Sequence, residues 1–273
     1  MPTFQSFDGL TLYYTDEGTG LPVICLPGLT RTTQDFDEVA PHLIGCRVIR
    51  MDMRGRGQSE WDTNWQNYTL PVECQDIIGL MDQLGLEKAA FLGTSRGGMQ
   101  GMMLCMAAKD RVLGVALNDI GPELDLSGLA AIMTYLGRRP ASKTYEEAAQ
   151  ALAYVFRGFE GVSHERWVRE AQKNFTEDAD GLNISYDPGL RDATEAAGTE
   201  LPDLWPMFDA MEGLPIACIR GANSDLLTQD TLTKMQARRP DMVAAVVPGR
   251  GHAPFLDEIE SVAALSAWLG KMR

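Results

Sequence analysis

Apolar residues fall in short runs divided by turn dipeptides and by longer stretches of helical period. Residues 10–14 (Leu-Thr-Leu-Tyr-Tyr) follow the Asp8-Gly9 turn and predict a strand. Residues 22–26 form a compact apolar run stopped by Pro27-Gly28, as a strand buried on both faces requires. Similar runs at 47–51, 89–92 and 114–118 predict further core strands. Between them, 71–84 has helical period with Gly85 as its stop, and 99–108 continues as a second helix.

The pattern changes after Ile120-Gly121-Pro122. From about 123 to 213 no strand is predicted, and helical stretches appear at 124–136, 144–157, 163–174 and 203–211. Thr144 with Glu147 three residues on is a capping-box signal for the second of these. Strand signals return at 215–219 and 242–247, and an amphipathic helix at 259–269 closes the pattern. Strands alternating with helices imply a mostly parallel sheet with helices on both faces, and ligands bind at the carboxyl edge of such sheets. The helical block reads as a cap over that edge, with core residues 1–121 and 214–273 and cap residues 122–213.

Composition narrows the partners. The 273 residues are 45% hydrophobic and 23% charged, which suits a folded chain. The net charge of −14 disfavours nucleic acid and anionic membranes, both of which need clustered Lys and Arg. A small-molecule substrate is expected, with the chain a monomer or a homodimer. The five cysteines (25, 46, 74, 105 and 218) show no disulfide or zinc spacing. The residues after Met1 lack signal-peptide character, and no apolar run reaches membrane-spanning length. A cytoplasmic protein is expected.

The chemistry concentrates at Gly93-Thr94-Ser95-Arg96-Gly97-Gly98, placed between a predicted strand and a predicted helix. That is the context in which G-x-S-x-G lifts a serine above a sheet at a helix N-terminus. A serine nucleophile needs a base. Of three histidines, His42 and His164 read as surface or packing residues, whereas His252 lies in a Gly-rich loop past the last strand. The acid behind it is expected at Asp225, after the strand ending near 220, with Asp119 as its rival. Backbone N–H groups of Leu29 and Arg96 would bind an oxyanion. Met99, Met102, Met103 and Met106 follow at helical spacing and read as core packing.

Leu26-Pro27-Gly28, Asp52-Met53-Arg54-Gly55-Arg56-Gly57-Gln58-Ser59, the Ser95 turn, the acid loop and the His252 loop together resemble the α/β-hydrolase superfamily, specifically its cap-bearing serine hydrolases. The resemblance implies the α/β-hydrolase fold with a helical cap inserted after the sixth strand. It also implies that the stretch 52–59 braces the loop behind the nucleophile. Pro27 replaces a frequent histidine, and Arg96 replaces an apolar residue or Gln; an ion pair is the expected use of Arg96. With Ser rather than Asp at position 95, dehalogenase and epoxide hydrolase chemistry is disfavoured. The expected reaction is hydrolysis of an ester or lactone through an acyl-enzyme, without metal or cofactor. The alternatives are C–C cleavage of a ring-cleavage product and a non-catalytic small-molecule receptor.

Overall fold

A computed structural model describes residues 2–156, 158–198 and 203–273, apart from the side chains at 126 and 129. The strands are β1 (Thr3–Gln5), β2 (Thr11–Gly18), β3 (Leu21–Leu26), β4 (Cys46–Met51), β5 (Ala89–Thr94), β6 (Val112–Asn118), β7 (Phe175–Asp178), β8 (Gly181–Ile184), β9 (Ile216–Gly221) and β10 (Val243–Val247). The helices are α1 (Leu70–Gln83), α2 (Arg96–Ala107), α3 (Leu126–Tyr135), α4 (Tyr145–Val155), α5 (His164–Asn174), α6 (Gly189–Ala196), α7 (Trp205–Asp209), α8 (Gln229–Arg238) and α9 (Ile259–Gly270).

One eight-stranded sheet runs in the order β1-β2-β4-β3-β5-β6-β9-β10. β1 and β2 are antiparallel to their neighbours, and every pairing from β4 to β10 is parallel. Successive residues of each central strand face opposite sides. Ile24, Ile49, Phe91, Val115, Leu117 and Cys218 pack on one side against Ile77 and Leu80 of α1, Met102 of α2 and Leu232 of α8. Val23, Cys25, Val48, Ala90, Leu92 and Ile219 pack on the other against Leu265, Trp268 and Leu269 of α9. Burial on both faces explains why these strands read as continuous apolar runs. All five cysteines are free and buried.

α1 begins after Thr69 with a proline in its first turn and Glu73 near its positive end. It stops at Gly85, whose φ of 64° a side chain would strain.

The segment between β6 and β9 contains α3 to α7 and also, contrary to the sequence expectation, the β7–β8 hairpin. Phe175-Thr176-Glu177-Asp178 is mostly exposed and charged, so it shows no apolar alternation. Helices α6 and α8 were also unsignalled. α6 buries only Leu190, and α8 buries Thr231, Leu232 and Met235. The predicted helix 144–157 ends at Val155, and residue 157 lies outside the described residues. Met102 is core and Met99 and Met103 pack beside it, but Met106 is exposed, so the helical methionine spacing overreaches by one.

The inserted segment has apolar clusters of its own. One joins Ala148, Ala149, Trp167, Ala171 and Leu182; another joins Leu136, Ile184, Tyr186 and Leu190 to Tyr68 ahead of α1.

β3 and α2 meet backbone to backbone at Gly97. A Cβ there would collide with the carbonyl oxygen of Leu26. Gly97→Ala is therefore expected to destabilise the protein by about 1–3 kcal/mol in urea unfolding, as other overpacked sites do. An unchanged midpoint would mean that β3 yields.

Candidate active site

The β5–α2 turn is built from close approaches. Cβ atoms on Gly93 or Gly98 would run into Gly97 and Ile120 respectively. With its neighbours pressed this way, Ser95 takes φ 52° and ψ −117°, a conformation that non-glycine residues rarely adopt. Its N–H donates to the Asn118 carbonyl (3.0 Å), and the first turn of α2 starts at Arg96. The hydroxyl thus stands at the carboxyl edge of the sheet and at a helix N-terminus.

His252 reaches it from the loop after β10. Nε2 lies 3.0 Å from Ser95 Oγ, and Nδ1 lies 2.8 Å from Asp119 Oδ2. The loop is anchored by Glu258, whose carboxylate accepts from the N–H groups of Phe255 (3.0 Å) and Leu256 (2.9 Å) and from Arg250 Nε (2.9 Å). Asn118 Nδ2 donates to Thr94 Oγ1 and to the Pro254 carbonyl, both at 3.0 Å, which ties the serine turn to the histidine loop.

The carboxylate at His252 corrects the sequence expectation: it is Asp119, not Asp225. Asp119 is fully buried at the end of β6, in the left-handed region (φ 56°) that Asp tolerates better than most residues. Its Oδ1 accepts from Gly221 N–H (2.8 Å) and its Oδ2 from Ser224 Oγ (2.5 Å). The loop after β9 therefore supplies donors to the acid, not the acid itself. Ser224 N–H closes a turn onto the Gly221 carbonyl (3.0 Å) and sends its side chain inward, leaving Asp225 exposed. His42 is exposed, and His164 on α5 pairs with Glu146 of α4 (2.6 Å).

The N–H groups of Leu29 and Arg96 have no acceptor among the described residues. Both residues belong to one buried ionic network. Arg56 Nε donates to the Leu29 carbonyl (2.9 Å), and Arg56 also lies 2.8 Å from Glu73. The other oxygen of Glu73 accepts from Arg96 Nε and from Gln100 Nε2, both at 2.8 Å. Arg96 thus makes the expected ion pair, with a carboxylate on α1. Asp52 holds the Leu29 loop further on, accepting from Thr33 N–H (2.7 Å) and Gln58 N–H (2.9 Å).

Ser95 and His252 open into a cavity of about 490 Å³ between the sheet edge and the inserted segment. Its wall is largely apolar, with Ile132, Leu152, Phe156, Phe159, Trp167 and Phe255 among the lining residues. Phe159 and Trp167 of the insertion pack against Phe255 of the histidine loop, with ring centroids 5.1 and 6.2 Å apart. An ionic wall lies beside them. Arg31 pairs with Asp35 (2.7 Å) and Glu170 (3.0 Å), and Arg166 with Glu170 (2.8 Å) and Asp257 (2.6 Å). Among the described residues no group of three or more His, Cys, Asp or Glu side chains is arranged to hold a metal ion. No described helix is long and apolar enough to cross a membrane.

Residues 22–259 match the alpha/beta hydrolase fold family, and the chain belongs to that family. It is 38% identical over 246 residues to a 3-hydroxybutyrate-oligomer hydrolase of Cupriavidus necator, covering 86% of this chain and 84% of that protein. It is 26% identical over 244 residues to the esterase YbfF of Escherichia coli, covering 88% and 89%. Among solved structures, an alpha/beta hydrolase from Novosphingobium aromaticivorans superposes with a TM-score of 0.92 at 35% identity, over 99% of this chain and 97% of the other. The family and these relatives support hydrolysis of ester-like or related bonds as the activity.

Glu73 neutralises two guanidinium groups at once, that of Arg56 buried and that of Arg96 half-buried. Burial by itself would raise its carboxyl, but Arg96 and Arg56 override that and hold it below the ordinary carboxylate range. Glu73→Gln is expected to cost about 3–5 kcal/mol in urea unfolding at neutral pH. Because the folded-state value is the lower one, this contribution is complete above about pH 4.3 and is lost as the pH falls further. The gap between wild type and variant should therefore narrow in acid; a gap that widens there contradicts the ion-pair account.

Proposed function

We propose that the protein is a cofactor-independent serine hydrolase that cleaves an ester bond of a small hydroxy-acid ester through an acyl-enzyme. The observation that carries this reading is the continuous hydrogen-bonded line from Ser95 Oγ through His252 to the buried carboxylate of Asp119, opening into an apolar cavity.

In this reading His252 Nε2 takes the proton as Ser95 Oγ attacks the ester carbonyl carbon. Asp119 keeps Nδ1 protonated and offsets the imidazolium charge. The N–H groups of Leu29 and Arg96 stabilise the oxyanion, each contributing on the order of 10²–10³ in turnover. His252 returns the proton to the leaving alkoxide. Water, deprotonated by His252, then attacks the acyl carbon and frees the acid. The inserted segment serves as a cap that excludes bulk water and shapes the acyl and alcohol sites. Similarity to an oligomer hydrolase favours short oligoesters of 3-hydroxy acids over simple alkyl esters.

Three measurements test this reading. Labelling by a fluorophosphonate should occur at Ser95 and vanish in Ser95→Ala, whose kcat should fall on the order of 10⁶-fold. Asp119→Asn should lower kcat about 10⁴-fold, while Asp225→Asn should leave kcat within the same order of magnitude. A greater loss at Asp225 than at Asp119 would overturn the assignment of the acid. Dimers and trimers of 3-hydroxybutyrate should turn over faster than a dienoic keto acid. The reverse order would point to C–C cleavage, and tight binding without turnover to a receptor.

A further inference from the structure

Four arginines line the cavity among the described residues: Arg31, Arg138, Arg139 and Arg166. Three are already held by carboxylates. Arg31 is paired with Asp35 and Glu170, Arg166 with Glu170 and Asp257, and Arg139 with Asp178. The guanidinium of Arg138 has no hydrogen-bond or ion-pair partner among the described residues, and it is exposed.

The backbone that carries it is not loose. Arg191 of α6 donates to the carbonyls of Met133 and Leu136, both at 3.0 Å, and so closes the C-terminal end of α3. Gly137 N–H donates to Tyr186 Oη (3.1 Å), and Arg138 N–H donates to the Tyr135 carbonyl (3.0 Å). Gly137 has φ 70°, and a Cβ there would meet Arg191 Cβ at 2.9 Å and the Pro188 carbonyl oxygen at 3.1 Å. The loop is thus fixed at both sides, while its cation faces the cavity without a partner among the described residues.

We propose that Arg138 binds the free carboxylate of an acid substrate and makes the protein selective for oligoester acids over neutral esters. The proposal rests on the reading of Ser95 as nucleophile towards a hydroxy-acid oligoester. The guanidinium fork matches a carboxylate in two parallel hydrogen bonds. In such an oligomer the terminal carboxylate lies on the alcohol side of every ester bond. Arg138 therefore holds the portion that leaves as the Ser95 Oγ–acyl bond forms and the acyl–oxygen bond breaks, with His252 passing its proton to the departing alkoxide. Its contribution falls on acylation and appears in kcat/KM.

The test compares the dimer and trimer acids of 3-hydroxybutyrate with their methyl esters in wild type, Arg138→Gln and Arg138→Glu. Wild type should favour the acids by about five- to tenfold in kcat/KM, as one partly exposed charge-assisted pair provides, and less so at high salt. Arg138→Gln should bring that ratio close to one, and Arg138→Glu should invert it. An unchanged ratio in both variants, with hydrolysis intact, overturns the carboxylate site alone. No turnover of any of these compounds by wild type overturns the reading of the nucleophile, and the site with it.

Discussion

The left-handed backbone of Ser95 is the constraint on which the rest of the site depends. A residue with a Cβ adopts φ 52° only when its surroundings leave no alternative. Here β5 and α2 are pressed together through Gly93 and Gly97, β3 lies directly against Gly97, and β6 receives the Ser95 N–H. The parallel sheet holds these strands in register, and its two apolar faces hold the sheet. The cost of the turn is met by packing spread over the whole core. What results is a hydroxyl raised clear of the sheet, with the N-terminus of α2 beneath it.

Much of this could be read from the residue order. A parallel sheet buried on both faces leaves apolar runs, and the central strands were legible for that reason, β4 despite Arg47 and Arg50 within it. The serine turn was legible because glycines two before and two after it have no other economical explanation. Asp119 was harder. Two carboxylates follow strands at the same sheet edge, in the same order relative to Ser95 and His252. The choice between them depends on which side chain of the Ser224-Asp225 pair turns inward. No local pattern records this, since it is decided by Ser224 reaching Asp119 across 105 positions of chain.

The insertion was legible in outline and obscure in detail. Its hairpin and α6 present mostly polar surfaces and are held by contacts to other elements. Tyr68 Oη, for example, donates to Asp187 at 2.5 Å, just before α6. Helix α8, after β9, was missed for the same reason of sparse apolar residues. The role of Glu73 was equally hidden. A glutamate in the first turn of a helix reads as a partner for the helix dipole, and only the folded chain brings Arg56 and Arg96 to it.

Glu258 anchors the loop that carries His252, and it is also the residue at which α9 begins, accepting from Ser261 Oγ at 2.8 Å. One carboxylate thus couples the imidazole to a helix seated on the sheet by Trp268 and Leu265. The first turn of α9 and the histidine loop share a single fastening. Fraying at that point needs far less energy than global unfolding. Opening there would loosen the loop that carries the imidazole at one of its holds, while the Asn118 hold on the Pro254 carbonyl remains.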